Sequence, residues 1–388
     1  MWLSFLLAFA LAAPPRVAAH LQDDEPATEA PHCGACGDRG YVDCRKCEPS
    51  ECSDERVLFC SVIAACETCG GTGREECTRC DAVPAQSIAE RKLAVAKWRD
   101  ERAEVNEYME RELVQMESAH FVLVFDAKGV KPARKKLGKH AAAHLYLDRL
   151  EDFHALFAKD LGVKEEDWFG KTTVMIWGKE ADQVRASPRY TLQPSNTASK
   201  LMGAKPVVSI YYDKSHLHEE FELHQAVVHH VAHCLLSNAF DGIWPGNIKG
   251  GWIDGGLAHA YEVELFGGVR HYCYVESDSM GMFKFGVWER SVLSDVKAKK
   301  ELSFLDVTSR HTSQMTPEQH MFAWSFVDYI KRAFPEKLGP VARALKQKQP
   351  IAAVIREQFD QSLFSFHESW REWVLATYSP KKKQPRSR

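Results

Sequence analysis

"AVVHHVAHCLL", residues 226–236, decides how this chain is read. Its apolar residues recur at helical spacing, and His229 and His233 stand four apart. On a helix, positions i and i+4 share one face, one above the other, so both imidazoles project the same way. Two nitrogens offered from one helical face suit a zinc ion. Cys234 falls off that face and reads as a buried structural thiol.

Working outward, "WIDGGLAHAYEVELFG" (252–267) begins nineteen residues after His233 and reads as a second helix, with a tryptophan and glycines at its head. Upstream, "HFVLVF" (120–125), "KTTVMIW" (171–177) and "PVVSIYY" (206–212) are dense in β-branched and aromatic residues and read as strands. Between the first two lies a helical run over 132–159, with an apolar face that includes Leu147, Leu150, Phe153 and Phe157. After Tyr212 the pattern is largely helical. Thr316, Pro317 and Gln319 combine an N-cap, a first-turn proline and a capping partner. Helices follow near 317–333, 337–347, 350–359 and 366–377. Strands first and helices later predict an α+β domain over 118–378.

"VHHVAHCLL" followed by "WIDGGLAHAYEVE" resembles the gluzincin-like domains of the peptidase MA-like group, where V-H-E-x-A-H-x-L-L precedes W-L-x-E-G-L-A-x-Y-x-E. Val228, His229, Ala232, His233, Leu235 and Leu236 match the first motif. Trp252, Gly256, Leu257, Ala258, Tyr261 and Glu262 or Glu264 match the second. The resemblance extends in element order to "SWREWVLATY" (369–378) and implies a thermolysin-like fold.

The departures fall on the chemistry that the resemblance implies. Its general base is replaced by His230, and its third zinc ligand by Gly255. Asp254, His259 and Glu262 are candidate substitute ligands. Two histidines alone hold zinc weakly, since a catalytic site normally has three protein ligands plus water. The expectation is a catalytically inactive pseudo-metallopeptidase with a vestigial site at His229 and His233, serving as a peptide- or protein-binding scaffold. The alternative is an active zinc metallopeptidase with an altered metal site. Tyr261, His271 and Tyr272 are either oxyanion donors or framework residues, and Cys273 reads as a structural thiol.

Ten of the twelve cysteines lie between residues 33 and 80. Cys33/Cys36 and Cys44/Cys47 form one half of a repeat, Cys66/Cys69 and Cys77/Cys80 the other. In each half, seven residues separate the two C-x-x-C pairs. Two C-x-x-C turns can complete one tetrahedron, so these eight cysteines suit two structural zinc ions. So few aliphatic residues would otherwise struggle to make a core. A disulfide framework is the competing reading, as is thiol redox chemistry, although glycine-flanked repeats suit metal knuckles better. Which motifs share an ion stays open, and Cys52 and Cys60 are either bonded or free. Cys66, Cys69, Gly71 and Gly73 match a full unit of the C-x-x-C-x-G-x-G zinc domain of DnaJ-type chaperones. The first unit departs from it at Asp38. The resemblance implies a zinc fold alone.

Residues 87–117 read as a long linking helix, capped by Ser87 and Glu90. Ile88, Val95, Trp98, Val105, Met109 and Met116 form its apolar stripe, for docking along a neighbouring domain. Residues 1–19 read as a signal peptide of an exported protein, secreted or periplasmic, with no membrane association after cleavage. The near-neutral net charge of −3 argues against a nucleic-acid binder. Residues 379–388 read as a basic disordered tail.

Overall fold

The computed structural model describes residues 33–37, 39–47, 56–79, 84–213, 217, 219–271, 273 and 286–379. The expected signal peptide and nearly all of the basic tail lie outside these residues, as do Cys52, Cys80 and Tyr272. Among the described residues, no helix is long and apolar enough to cross a membrane.

The cysteine-rich segment contributes strands β1 (Tyr41–Asp43), β2 (Phe59–Cys60) and β3 (Arg74–Glu76) and the short helix α1 (Ser61–Ala64). β1 and β3 pair antiparallel in their own small sheet. β2 instead joins the main sheet, whose other strands are β4 (Val114–Glu117), β5 (Phe121–Phe125), β6 (Thr172–Trp177), β7 (Ala198–Leu201) and β8 (Val207–Tyr211). Their order is β2-β4-β5-β6-β8-β7, with β5, β6 and β8 parallel and the outer pairings antiparallel. Every residue of β5 is buried, as a strand covered on both faces requires. Successive side chains alternate between faces. Phe121, Leu123 and Phe125 enter the large core with α3 (Lys139–Leu161), and Val124 packs behind with Met175 and Trp177.

The linking helix α2 spans Pro84–Met109. Ser87 therefore sits inside the first turn, not at the cap, and the predicted helix over 110–117 is instead a turn and strand β4. Glu110 adopts φ 56°, a left-handed position that ends the helix. The chain then reverses, and pairing with β5 recruits Met116 into the sheet. The stripe docks as expected: Val95 and Trp98 pack on Ala64, while Val105 and Met109 pack on Val124, Met175 and Trp177. Glu117 fixes the join. It accepts from Trp98 Nε1 at 2.8 Å, Arg102 at 2.9 Å and Lys171 at 2.6 Å.

Helix α4 (Glu180–Tyr190) lies between β6 and β7, and after β8 the chain continues with the helices α5 (Glu220–Asn238), α6 (Gly251–Phe266), α7 (Glu289–Ala298), α8 (Phe304–Thr308), α9 (Pro317–Ala333), α10 (Leu338–Lys346), α11 (Ile351–Phe359) and α12 (Leu363–Thr377). The mixed architecture agrees with the α+β expectation. Thr316 caps α9 through Gln319 N–H, with the reciprocal Gln319 bond that closes the box. Helices α5, α6 and α9 pack into one buried layer, and at Gly256 the backbone of α6 approaches α9 closely. A Cβ there would lie 2.6 Å from Val327 Cγ2 and 2.7 Å from the Ala323 carbonyl. Because the obstruction is partly backbone, Gly256→Ala should cost about 1–3 kcal/mol of overpacking. Urea denaturation of the purified chain measures this.

Candidate metal centres

In the cysteine-rich segment, tight turns bring the thiols together. Gly71 and Gly73 sit at φ 84° and 71°. A Cβ on Gly71 would lie 2.8 Å from the Ala64 carbonyl, so only glycine fits that turn. The backbone bonds Cys44 N–H to Gly73 O and Cys77 N–H to Gly40 O lace the two halves together. Cys44, Cys47, Cys66 and Cys69 thus converge on one point, and Cys33, Cys36 and Cys77 on another. The second motif shares its centre with the third, and the first with the fourth, whose Cys80 lies outside the described residues.

The separations favour a metal over disulfides. Sγ distances are 4.0 Å for Cys44–Cys66, 3.8 Å for Cys47–Cys69 and 3.8 Å for Cys33–Cys77. A disulfide would hold sulfurs at about 2.05 Å. Thiolates about 2.3 Å from one tetrahedral ion lie about 3.8 Å apart. These groups can hold metal ions. Backbone N–H groups are aimed at the sulfurs, including Gly73 N–H to Cys69 Sγ at 3.2 Å. Those of Ala35 and Cys36 draw the Cys33 thiol down to about 7, and that of Cys69 does the same for Cys66.

A second cluster lies where α5, α6 and α9 meet. His229 and His233 project from one face of α5, both fully buried. Each imidazole has a carboxylate at Nδ1. Glu262 Oε2 is 3.1 Å from His229 Nδ1, and Asp254 Oδ2 is 2.9 Å from His233 Nδ1. Their Nε2 atoms are buried without a hydrogen-bond partner. Burial pushes both imidazoles below their ordinary range, so they are neutral. Asp254 stands close to His233 Nδ1 without closing a hydrogen bond, while with hydrogen on Nδ1 facing Glu262, the Nε2 of His229 presents a lone pair. Metal-bound histidines are commonly oriented in this way.

The carboxylates are tightly held. Burial alone would raise Glu262, but His229, His259 and His271 hold it well below the usual carboxylate range. Its oxygens also accept the N–H groups of Arg270 and His271, each at 3.2 Å. Asp254 is likewise raised by burial and lowered further by His233, Thr312 and Trp244. Trp244 Nε1 donates to it at 2.8 Å and Thr312 Oγ1 at 2.7 Å. Asp254 thus stands beside Nδ1 of His233, at the opposite side of the ring from its Nε2. Glu262 takes the same position behind His229.

The donors that complete the cluster include two that sequence reasoning missed. Cys273 Sγ lies 3.5 Å from His259 Nε2 and 3.6 Å from His320 Nδ1. A sulfur and a nitrogen on one tetrahedral zinc would be about 3.6 Å apart. Two overlapping donor sets result: His229, His233 and Cys273, and His259, Cys273 and His320. They share Cys273, which could serve as a ligand. His259, expected as a substitute ligand, is in the cluster. A Cβ at Gly255 would meet His320 Nδ1 at 3.0 Å and Cys273 Sγ at 3.4 Å. The space for a side chain at 255 is already taken by these two donors.

Charge points the same way. Asp254 and Glu262 are buried carboxylates, set against the buried ammonium of Lys200, whose Nζ donates to the Cys273 carbonyl at 2.6 Å. A divalent ion with Cys273 as its thiolate would make that group neutral, which a low-dielectric interior favours. His230 is also buried and neutral. Tyr261 serves as framework, its hydroxyl donating to Asp160 at 3.1 Å.

No protein-family model and no curated protein matches the chain.

Three outcomes are expected. Cys44→Ser and Cys33→Ser should each remove about one metal equivalent per chain, counted by elemental analysis. Acidification should release the metal, because protons compete with it for the same thiolates. Glu262→Gln should destabilise the fold by about 1–3 kcal/mol, because an amide cannot accept from all the buried donors that the carboxylate serves. Chemical denaturation at neutral pH reads it.

Proposed function

We propose that the chain is an exported pseudo-metallopeptidase: a thermolysin-like, gluzincin-type domain that binds peptide or protein instead of cutting it, braced by a DnaJ-type zinc module. The cysteine segment holds two structural zinc ions, and the core cluster suits a further one. His229, His233 and Cys273 would hold the core ion, with His259 and His320 within reach of the same sulfur.

One observation carries this reading. Gly255 stands where the resemblance implies a carboxylate ligand, and His320 and Cys273 fill its space. Catalytic zinc keeps a position open for water, whereas structural zinc is closed by protein donors. Two three-donor sets that share the buried Cys273 sulfur suit closure. The general-base position is His230, an imidazole that burial keeps neutral. Its reach and shape differ from those of a carboxylate placed against metal-bound water.

For a ligand, the free edge of β7 is the natural seat. β7 pairs with β8 on one side, and among the described residues no strand lies on the other. An extended peptide can add to such an edge through main-chain hydrogen bonds alone, with no metal.

A second reading, an active peptidase with an altered site, rests on the unpartnered Nε2 atoms of His229 and His233 beside a third donor, Cys273. One experiment separates the two. The zinc-replete chain is incubated with a diverse peptide library, and both retained and cleaved peptides are identified by mass spectrometry. The scaffold reading expects retention of intact peptides and no cleavage above the protein-free rate. Chelator-sensitive cleavage that disappears in His233→Ala establishes the peptidase instead.

A further inference from the structure

Cys60 belongs to no C-x-x-C pair, yet it is buried at the end of β2, the edge strand that leaves the cysteine segment for the main sheet. Across from it, His140 and His144 stand four apart in the first turns of α3, on one face. Cys60 Sγ is 3.2 Å from His140 Nε2, and His140 Nε2 is 3.2 Å from His144 Nε2. The three donor atoms all lie within 4.8 Å of one another. We propose that Cys60, His140 and His144 form a separate zinc site that fastens the edge strand of the cysteine segment to the first long helix of the main domain.

Donor chemistry favours an ion over a chain of hydrogen bonds. A neutral imidazole Nε2 carries either one hydrogen or one lone pair. His140 Nε2 faces both a sulfur and a second imidazole nitrogen, and either tautomer serves only one of them well. An ion satisfies all three at once, with a lone pair from each ring and a thiolate from Cys60. Nitrogens about 2.0–2.1 Å from a tetrahedral zinc lie about 3.3 Å apart, close to the observed separation. Two imidazoles and one thiolate form a donor set that suits zinc. A thiolate at the start of α3 also lies at the positive end of that helix.

The site joins residues 80 apart in sequence and shares no ligand with the clusters described above. Three protein donors leave a fourth position. His140 also lines a cavity of about 500 Å³ with Lys46 and Lys139. Water or a small anion completes the shell from that side.

The test counts zinc per chain in the full-length protein by elemental analysis, for wild type and for Cys60→Ser, His140→Asn and His144→Asn. Thiol alkylation is mapped residue by residue on the same samples, and circular dichroism confirms folding. Each variant should lose one zinc equivalent. In the histidine variants, Cys60 should become alkylated while the C-x-x-C cysteines stay protected. His140 is only half-buried in the first turn of α3, so His140→Asn remains a usable test even where Cys60→Ser fails to fold. A folded His140→Asn chain with wild-type zinc content overturns the proposal. So does a loss of zinc that leaves Cys60 as protected as before.

Discussion

Glu262 and Asp254 are anions in a region with almost no solvent, and the helical half of the molecule is arranged around them. A buried carboxylate is tolerated only when its lone pairs are taken. Glu262 draws hydrogen bonds from three imidazoles and two backbone N–H groups, which come from α5, α6 and the segment that follows α6. Asp254 draws in Trp244 and Thr312, from either side of α6 in sequence. Glu262 fixes the tautomer of His229, so this anion decides which nitrogen that ring offers inside the cluster. Donor chemistry and helix packing are therefore one problem, and a change in either disturbs both.

The cysteine-rich segment is not a separate bead on the chain. Its β2 lies in the main sheet, and α2 packs one end on Ala64 and the other on the sheet. Glu117 sits at the crossing, bonded to Trp98 and Arg102 of α2 and to Lys171 beside β6. A metal held by those thiolates would thus be linked to the sheet through direct packing among the described residues.

Much of this architecture was legible because it is written in local patterns. The strands at 121–125, 172–177 and 207–211, the capped start of α9 and the His229/His233 face all follow from short-range spacing. The end of α2 was not legible, since Met116 fits the helical stripe as well as it fits a strand. Only pairing with β5 decides it. The candidate site divides in the same way. His229, His233 and the C-x-x-C turns announce themselves, but Cys273 and His320 are 47 residues apart and meet only through helix packing. Asp254 looked like a ligand because it adjoins Gly255. Its partners Trp244 and Thr312, which turn it behind His233, come from segments that sequence spacing does not connect.

The two-residue strand β2 carries one more consequence. It covers the outer edge of β4, whose backbone would otherwise face outward unpaired. A bare strand edge is a template for pairing with other chains. The cysteine-rich segment thus acts as a sheath as well as a module. A chain trimmed back to its larger domain would be inclined to stick to copies of itself, even with every residue of the histidine cluster intact.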